Sequence, residues 1–171
     1  MTGPLAHQSR PGTTARPDVQ RAIDRAAAAR PIPGNRITLL QDGPATYPAM
    51  LEVIAGATRS LHFENYIIRN DATGRWFAEA LMARARAGVA VRVLYDWLGS
   101  VATGHRFWRG LRQAGCEVRC FNPPSLFRPL QAVARDHRKL VVADGARAVV
   151  GGLCIGDEWA GDPGRAKPPW R

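Results

Sequence analysis

The stretch DHRKLVVADGARAVVGG, residues 136–152, carries a histidine, a lysine and an aspartate in the spacing H-x-K-x4-D. Side chains two residues apart on an extended strand point to the same face, so we expect His137 and Lys139 to lie side by side. The Asp-Gly pair that ends the motif predicts a tight turn and a returning strand over 146–150. A neutral imidazole beside an ammonium suits attack on a phosphate ester, and the carboxylate of Asp144 could orient the imidazole or stabilise its charged form.

Strands and helices alternate upstream of the motif. Apolar patterns predict strands over 36–40, 60–68, 89–97 and 117–121, and helices over 47–57, 74–87 and 105–114. Thr46 is the expected cap of the first of these helices, and Gly88 and Gly115 are expected to end the other two. Such alternation predicts an α/β fold with a largely parallel sheet, whose ligands bind at the carboxyl ends of the strands. The third strand is nearly all apolar, so we expect it to be buried on both faces.

The charge of the chain is strongly positive. Its 24 basic residues exceed its 14 acidic ones by ten, and only Lys139 and Lys167 among the basic residues are lysines. The excess suggests an anionic partner, which could be phospholipid head groups, a membrane surface or nucleic acid. An arginine-rich, solvated surface explains the excess equally well, because the arginines are scattered and form no basic tail.

Cysteine usage and hydropathy exclude several classes of protein. The three cysteines, Cys116, Cys120 and Cys154, form no C-x-x-C pair, which argues against both a disulfide scaffold and a zinc site. No run approaches 18 consecutive apolar residues, and the N-terminus lacks the apolar centre of a signal peptide. We therefore expect no metal, no transmembrane helix and no signal peptide.

Six blocks of sequence carry a family resemblance. They are LQDG at 40–43, FENYI at 63–67, GVAVRVLYD at 88–96, FNP at 121–123, RDHRK at 135–139, and GG to GDE over 151–158. With the H-x-K-x4-D spacing, these blocks resemble the phospholipase D superfamily and, within it, the bacterial cardiolipin synthase branch. The resemblance implies one lobe of a phospholipase D-like α/β sandwich, with a largely parallel or mixed sheet flanked by helices.

The same resemblance implies a two-step phosphatidyl transfer on phospholipids. His137 would form a covalent phosphohistidine, which a second alcohol or water resolves, and Lys139 with backbone amides would carry the phosphate charge without a metal or cofactor. In the family the general acid is a second histidine from a second copy of the motif. This chain has one copy, because His7, His62 and His105 are not followed two residues later by lysine.

Five further residues are candidates for the phosphate pocket. Gly151 and Gly152 are expected to let the backbone approach the phosphate without side chains in the way. Cys154 stands at a position where the family often has asparagine or serine. Glu64 in the second strand and Asp96 at the end of the third could line the pocket, or could form ordinary salt bridges.

Three interpretations of the single motif stay open. The chain could transfer phosphatidyl groups as a cardiolipin synthase does, could be a homodimeric single-motif phosphodiesterase or nuclease, or could be a truncated half-enzyme that is inactive alone. The second lobe would come from homodimerisation or from a longer chain. The expected partners are anionic phospholipid and, through peripheral contact, the membrane, with nucleic acid only under the nuclease alternative. We expect a bacterial protein in the cytoplasm or at the inner membrane face.

The expected organisation has three parts. Residues 1–34 would form a disordered tail and a short helix over 18–30, and residues 35–160 the catalytic lobe. Residues 161–171 would be a Pro/Gly-rich tail that could begin a missing second lobe.

Overall fold

The computed structural model describes residues 17–27, 32–124 and 134–161. The chain divides into two units, residues 1–38 and 39–171. The first unit contains helix α1, Pro17–Ala27, which matches the helix expected over 18–30. The expected disorder at the N-terminus lies outside the described residues, as does the expected tail over 161–171 except for Gly161.

The second unit is an α/β fold with one mixed sheet. Its elements are α2 Asp42–Ala55, β1 Ser60–Asn65, α3 Ala72–Arg86, β2 Ala90–Asp96, α4 His105–Gln113, β3 Glu117–Phe121, β4 Leu140–Ala143, β5 Arg147–Val150 and α5 Asp157–Ala160. The strand order is β3-β2-β1-β4-β5. The first three strands are parallel, whereas β4 pairs antiparallel with β1 and β5 antiparallel with β4. The predicted fold class, a largely parallel or mixed sheet flanked by helices, is therefore confirmed.

The core lies between the sheet and helices α2 to α4. Alternate strand residues, among them Phe63, Val93 and Val141, are buried against helix residues such as Ile54 and Phe77. Aliphatic and aromatic side chains of this size each stabilise the fold by about 2 kcal/mol when fully buried. This alternation fixes the register of each strand, since a slip of one residue would expose the whole buried set.

The opposite face of the sheet carries polar side chains. His62, Arg92, Glu117 and Arg119 are exposed there, and Arg92 pairs with Glu117 across β2 and β3 at 3.1 Å. The expectation that the strand over 89–97 is buried on both faces is therefore wrong. Its burial alternates, because among the described residues the helices cover one face only.

Two further expectations near the start of the second unit are wrong. Residues 36–40 form no strand, and Ile37 and Leu39 are 86% and 94% exposed. Residues 36–40 have no neighbouring strand among the described residues. Their apolar character alone is therefore not sufficient to form a β-strand. Helix α2 begins at Asp42, and Thr46 is buried inside it instead of capping it.

The turns agree with the sequence. Gly88 and Gly115, which follow α3 and α4, have φ of +86° and +99°, the left-handed conformation expected just after a helix. The hairpin between β4 and β5 has positive φ at both central residues, +56° at Asp144 and +69° at Gly145. That combination is the requirement of a tight I′-type hairpin turn, which explains the Asp-Gly pair.

Candidate active site

The motif lies at the carboxyl edge of the parallel strands. Because β4 runs antiparallel to β1, the segment before Leu140 lies at the edge where β1 to β3 end. His137 and Lys139 precede β4 and are not part of it, so the expectation that both lie on a strand is wrong. Lys139 nevertheless keeps one sheet-like bond, since its carbonyl accepts from the Gly151 amide at 3.1 Å.

The imidazole and the ammonium occupy different environments. His137 is exposed, whereas Lys139 is only 5% exposed and its Nζ donates to the His137 carbonyl at 2.6 Å. Burial lowers the pKa of Lys139, an effect that nearby Cys154 and Asp136 oppose. The arrangement exposes the His137 imidazole to solvent and holds a buried cation against the backbone of the same residue.

Tyr66 contacts both groups and was not singled out from the sequence. Its ring centroid lies 4.7 Å from that of His137, and the Lys139 Nζ lies 5.1 Å from the Tyr66 ring centroid. The residue comes directly after β1, two positions beyond Glu64. That spacing on an extended segment was the available signal, since it places Tyr66 on the same side as a candidate site residue.

Asp144 lies at the other end of β4 from the histidine. Seven residues of extended chain separate it from His137, a span of about 23 Å. Its carboxylate accepts from Thr58 N, Thr58 Oγ1, Arg59 N and Ser60 N, all within 2.9 Å. These bonds, first of all the backbone amides, hold the pKa of Asp144 well below its usual range. The structure does not bring this carboxylate to the imidazole, which corrects the expected orienting role, and instead ties the start of β1 to the β4–β5 hairpin.

Asp96 supports the motif through its backbone. Its side chain is fully buried, and Oδ2 accepts from the Asp136 amide at 3.0 Å while Oδ1 accepts from the Gly99 amide at 3.0 Å. The residue therefore joins the end of β2 to the residue before His137. It holds the motif in place and does not present a free carboxylate to a pocket.

Glu64 belongs to a charged cluster on the other side of the motif. Its Oε1 lies 2.8 Å from Nη2 of Arg138, which also donates from Nε to Asp136 Oδ1 at 3.0 Å. Burial, followed by the adjacent Asp136 carboxyl, raises the pKa of Glu64 to about 7. Burial alone would raise the pKa of Asp136, but hydrogen bonds with Glu64 and Arg138 outweigh this effect, so the pKa of Asp136 is lowered. The cluster thus pairs a carboxyl group of raised pKa with one of lowered pKa, one residue from the candidate nucleophile.

The glycine pair and Cys154 lie on the Lys139 side. A Cβ atom built on Gly151 or Gly152 would meet nothing within 4 Å, so the space beside the motif is open there. Cys154 is buried, its carbonyl accepts from the Tyr47 hydroxyl at 2.6 Å, and burial raises the pKa of its thiol. Its neighbour Ile155 pairs with Ile67 and Ile68, which fastens this segment to the end of β1.

The described residues contain neither a metal-binding cluster nor a helix that could cross a membrane. Residues 17–27, 32–124 and 134–161 contain no group of three or more His, Cys, Asp or Glu side chains able to hold a metal ion. Within the same ranges, every helix is too short or too polar to cross a bilayer.

Comparisons with known proteins identify the family of the chain. The family model described as "Cardiolipin synthase, PLD-like domain" matches residues 50–157, which include the whole motif. Cardiolipin synthase A of Pseudomonas fluorescens is 38% identical over 155 residues, which cover 88% of this chain and 32% of that protein. The major cardiolipin synthase ClsA of Bacillus subtilis is 40% identical over 129 residues, covering 74% of this chain and 27% of the relative. The match thus spans between a quarter and a third of the length of these relatives.

Solved structures of similar fold include a bacterial protein that matches more than half of the chain. It is the phospholipase D family member Nuc from Salmonella typhimurium, with 22% sequence identity, 59% coverage of both chains and a TM-score of 0.42. The family assignment rests on the sequence match, which covers more than half of the chain. By that match, the chain belongs to the cardiolipin synthase family of phospholipase D-like domains.

Proposed function

We propose that this chain supplies a catalytic lobe for the transfer of a phosphatidyl group from one glycerol hydroxyl to another, with His137 as the nucleophile. Family membership supports the substrate class. The observation that carries the chemistry is an exposed imidazole on a residue whose backbone carbonyl accepts from the buried Lys139 ammonium at 2.6 Å. A fixed cation at this point can neutralise the non-bridging oxygens of a phosphodiester as negative charge develops.

The reaction balances in two displacements. In the first, an imidazole nitrogen of His137 bonds to phosphorus, the bond from phosphorus to the leaving glycerol oxygen breaks, and a general acid protonates that oxygen. In the second, a hydroxyl of another glycerol attacks phosphorus and gives its proton to the same group, which now acts as a general base, while the phosphorus–nitrogen bond breaks. The imidazole is regenerated, and neither step requires a metal or cofactor.

The general acid in this proposal is a histidine from a second copy of the motif. The sequence contains one H-x-K-x4-D, and removing general acid catalysis typically costs about 100- to 10,000-fold in rate. We propose that the second motif is supplied either by a second copy of this chain or by a further lobe of a longer chain. A formal charge of +10 favours contact of the lobe with an anionic membrane surface.

The test is the formation of cardiolipin on phosphatidylglycerol vesicles. Purified chain is incubated with vesicles whose phosphatidylglycerol carries a radiolabelled terminal glycerol, and cardiolipin and free glycerol are quantified. The proposal predicts equal amounts of both products, complete loss in His137→Ala, and normal yield in the matched variant His105→Ala. His105 is exposed like His137 but begins α4 and takes no part in the motif. Cardiolipin formation that survives His137→Ala would overturn the proposal.

A nuclease is the second candidate, because the +10 charge also suits nucleic acid. Supercoiled plasmid is therefore incubated with the same preparation. Nicking that depends on His137, without any lipid product, would establish the nuclease alternative in place of phosphatidyl transfer.

A further inference from the structure

The ring of Tyr66 contacts both functional groups of the motif. Its centroid is 4.7 Å from the His137 ring centroid at an interplanar angle of 52°, and 5.1 Å from the Lys139 Nζ. Both distances lie in the range in which an aromatic ring attracts a neighbouring ring or a cation. One side chain therefore contacts both members of the nucleophile–cation pair.

The surrounding chain fixes the position of Tyr66. Its carbonyl accepts from Ser100 Oγ at 3.3 Å, and the same Oγ accepts from the Ile68 amide at 3.1 Å. Gly99 packs against it so closely that a Cβ built there would lie 2.3 Å from the Tyr66 carbonyl oxygen and 3.0 Å from its Cδ2. Because Gly99 has no side chain, the loop after β2 leaves room for the ring and the backbone of Tyr66.

We propose that Tyr66 is a positioning residue, whose ring keeps the buried Lys139 ammonium in its charged form and holds the His137 imidazole in the orientation for attack on phosphorus. The proposal concerns the same site as the proposed function and deepens it. Lys139 is 5% exposed, and its Nζ has lost most of its water, so the negative face of the ring replaces part of the lost solvation. His137 is exposed, and the ring restricts a side chain that would otherwise rotate freely in water.

The ring should matter more than the hydroxyl. Among the described residues the Tyr66 hydroxyl makes no hydrogen bond, whereas the ring makes both contacts. Tyr66→Phe preserves the ring, and Tyr66→Leu removes it while keeping an apolar side chain. Tyr95→Leu is the matched control, because Tyr95 on the adjacent strand stacks on Trp108, at 3.7 Å between centroids, away from the motif.

The decisive measurement is the titration of Lys139 by NMR after 13C labelling of lysine. The chain has two lysines, so Lys167 gives the one other signal and serves as an internal control. We expect wild-type titration in Tyr66→Phe and Tyr95→Leu, and a Lys139 pKa lower by about 0.5 to 1 unit in Tyr66→Leu, since removal of the ring disfavours the ammonium. This readout does not depend on activity, so it tests Tyr66 even if the proposed phosphatidyl transfer fails.

Kinetics provide the second readout. We expect Tyr66→Leu to lower kcat about 10-fold, with a smaller change in KM and with the alkaline limb of the pH–rate profile shifted to lower pH. Tyr66→Phe should stay within about twofold of wild type. If Tyr66→Leu unfolds, Tyr66→Met replaces it as a flexible side chain that fills the same space. An unchanged Lys139 titration in the folded ring-less variant, or equal loss in Tyr66→Phe, would overturn the proposal.

Discussion

Glu64→Gln should make the stability of the protein nearly independent of pH between pH 5 and 8. The Glu64 side chain is 14% exposed, and burial together with Asp136 raises its pKa from 4.5 to about 7. A group whose pKa is raised on folding contributes stability that is fully present below its unfolded pKa. That stability is lost as the pH rises through the folded pKa. Wild type should therefore lose stability from about pH 4.5 to about pH 7, whereas the glutamine variant, which mimics the protonated form, should not.

The magnitude follows from the shift in pKa. A rise from 4.5 to about 7 corresponds to about 3 kcal/mol at 1.36 kcal/mol per unit. The ion pair with Arg138 at 2.8 Å is already included in this net shift, and part of the titration lies below pH 5, so we expect a change of about 2 kcal/mol between pH 5 and 8. Asp136 does not contribute in this range, because its pKa is lowered and it stays ionised throughout.

Urea unfolding followed by tryptophan fluorescence at pH 5, 6, 7 and 8 measures the effect. Glu52→Gln is the matched control, since Glu52 also pairs with an arginine, Arg147 at 2.7 Å, but is 74% exposed. Exposed pairs contribute about 0 to 1 kcal/mol, and this control should follow the wild-type pH dependence. Parallel curves for wild type and Glu64→Gln across the whole range would refute the reasoning.

Three further predictions concern the motif. Lys139→Arg should lower kcat about 100-fold although the charge is kept, because the wider, planar guanidinium does not fit where Lys139 is only 5% exposed. Near-normal steady-state rates in this variant would contradict the prediction. Asp144→Asn should lower the thermal unfolding midpoint, because it weakens the bonds to the amides of residues 58–60, while the Lys139 titration stays unchanged. The pKa of Asp144 is lowered on folding, so this stabilisation is present above the unfolded pKa and is lost only in stronger acid. Equal unfolding midpoints for wild type and Asp144→Asn near pH 7 would refute the stabilising role of Asp144. Excess EDTA should leave the initial rate unchanged, and a loss that added metal restores would contradict a mechanism based on histidine and lysine alone.

The sequence predicts the architecture of the sheet well. The strands over 60–68, 89–97 and 117–121 all appear, each slightly shorter than expected or with the same bounds, because apolar alternation and flanking glycines are local signals. The Asp-Gly hairpin is equally local. The false strand over 36–40 shows the limit of such signals, since a strand also needs a neighbour with which to form hydrogen bonds.

The candidate site is predicted less completely. The spacing of His137 and Lys139 identifies them, but no local pattern shows that Lys139 is buried while His137 is exposed. Asp144 stands seven positions beyond His137, about 23 Å along an extended chain, so the spacing itself argues against direct contact with the imidazole. Tyr66 contacts His137 although the two residues are 71 positions apart in the sequence. The contact depends on the antiparallel pairing of β1 with β4, and parallel pairing of these strands would not produce it.

Covalent trapping on His137 tests the central claim most directly. Bis(4-nitrophenyl) phosphate is the suitable probe, because 4-nitrophenolate leaves without protonation and the missing general acid therefore costs little. The account predicts a burst of up to one equivalent of 4-nitrophenolate per chain and, after rapid quenching, a 4-nitrophenyl phosphate adduct on His137 by mass spectrometry. His105→Ala should retain both signals and His137→Ala should lose both. A burst that persists in His137→Ala, or an adduct on any other residue, would contradict the account.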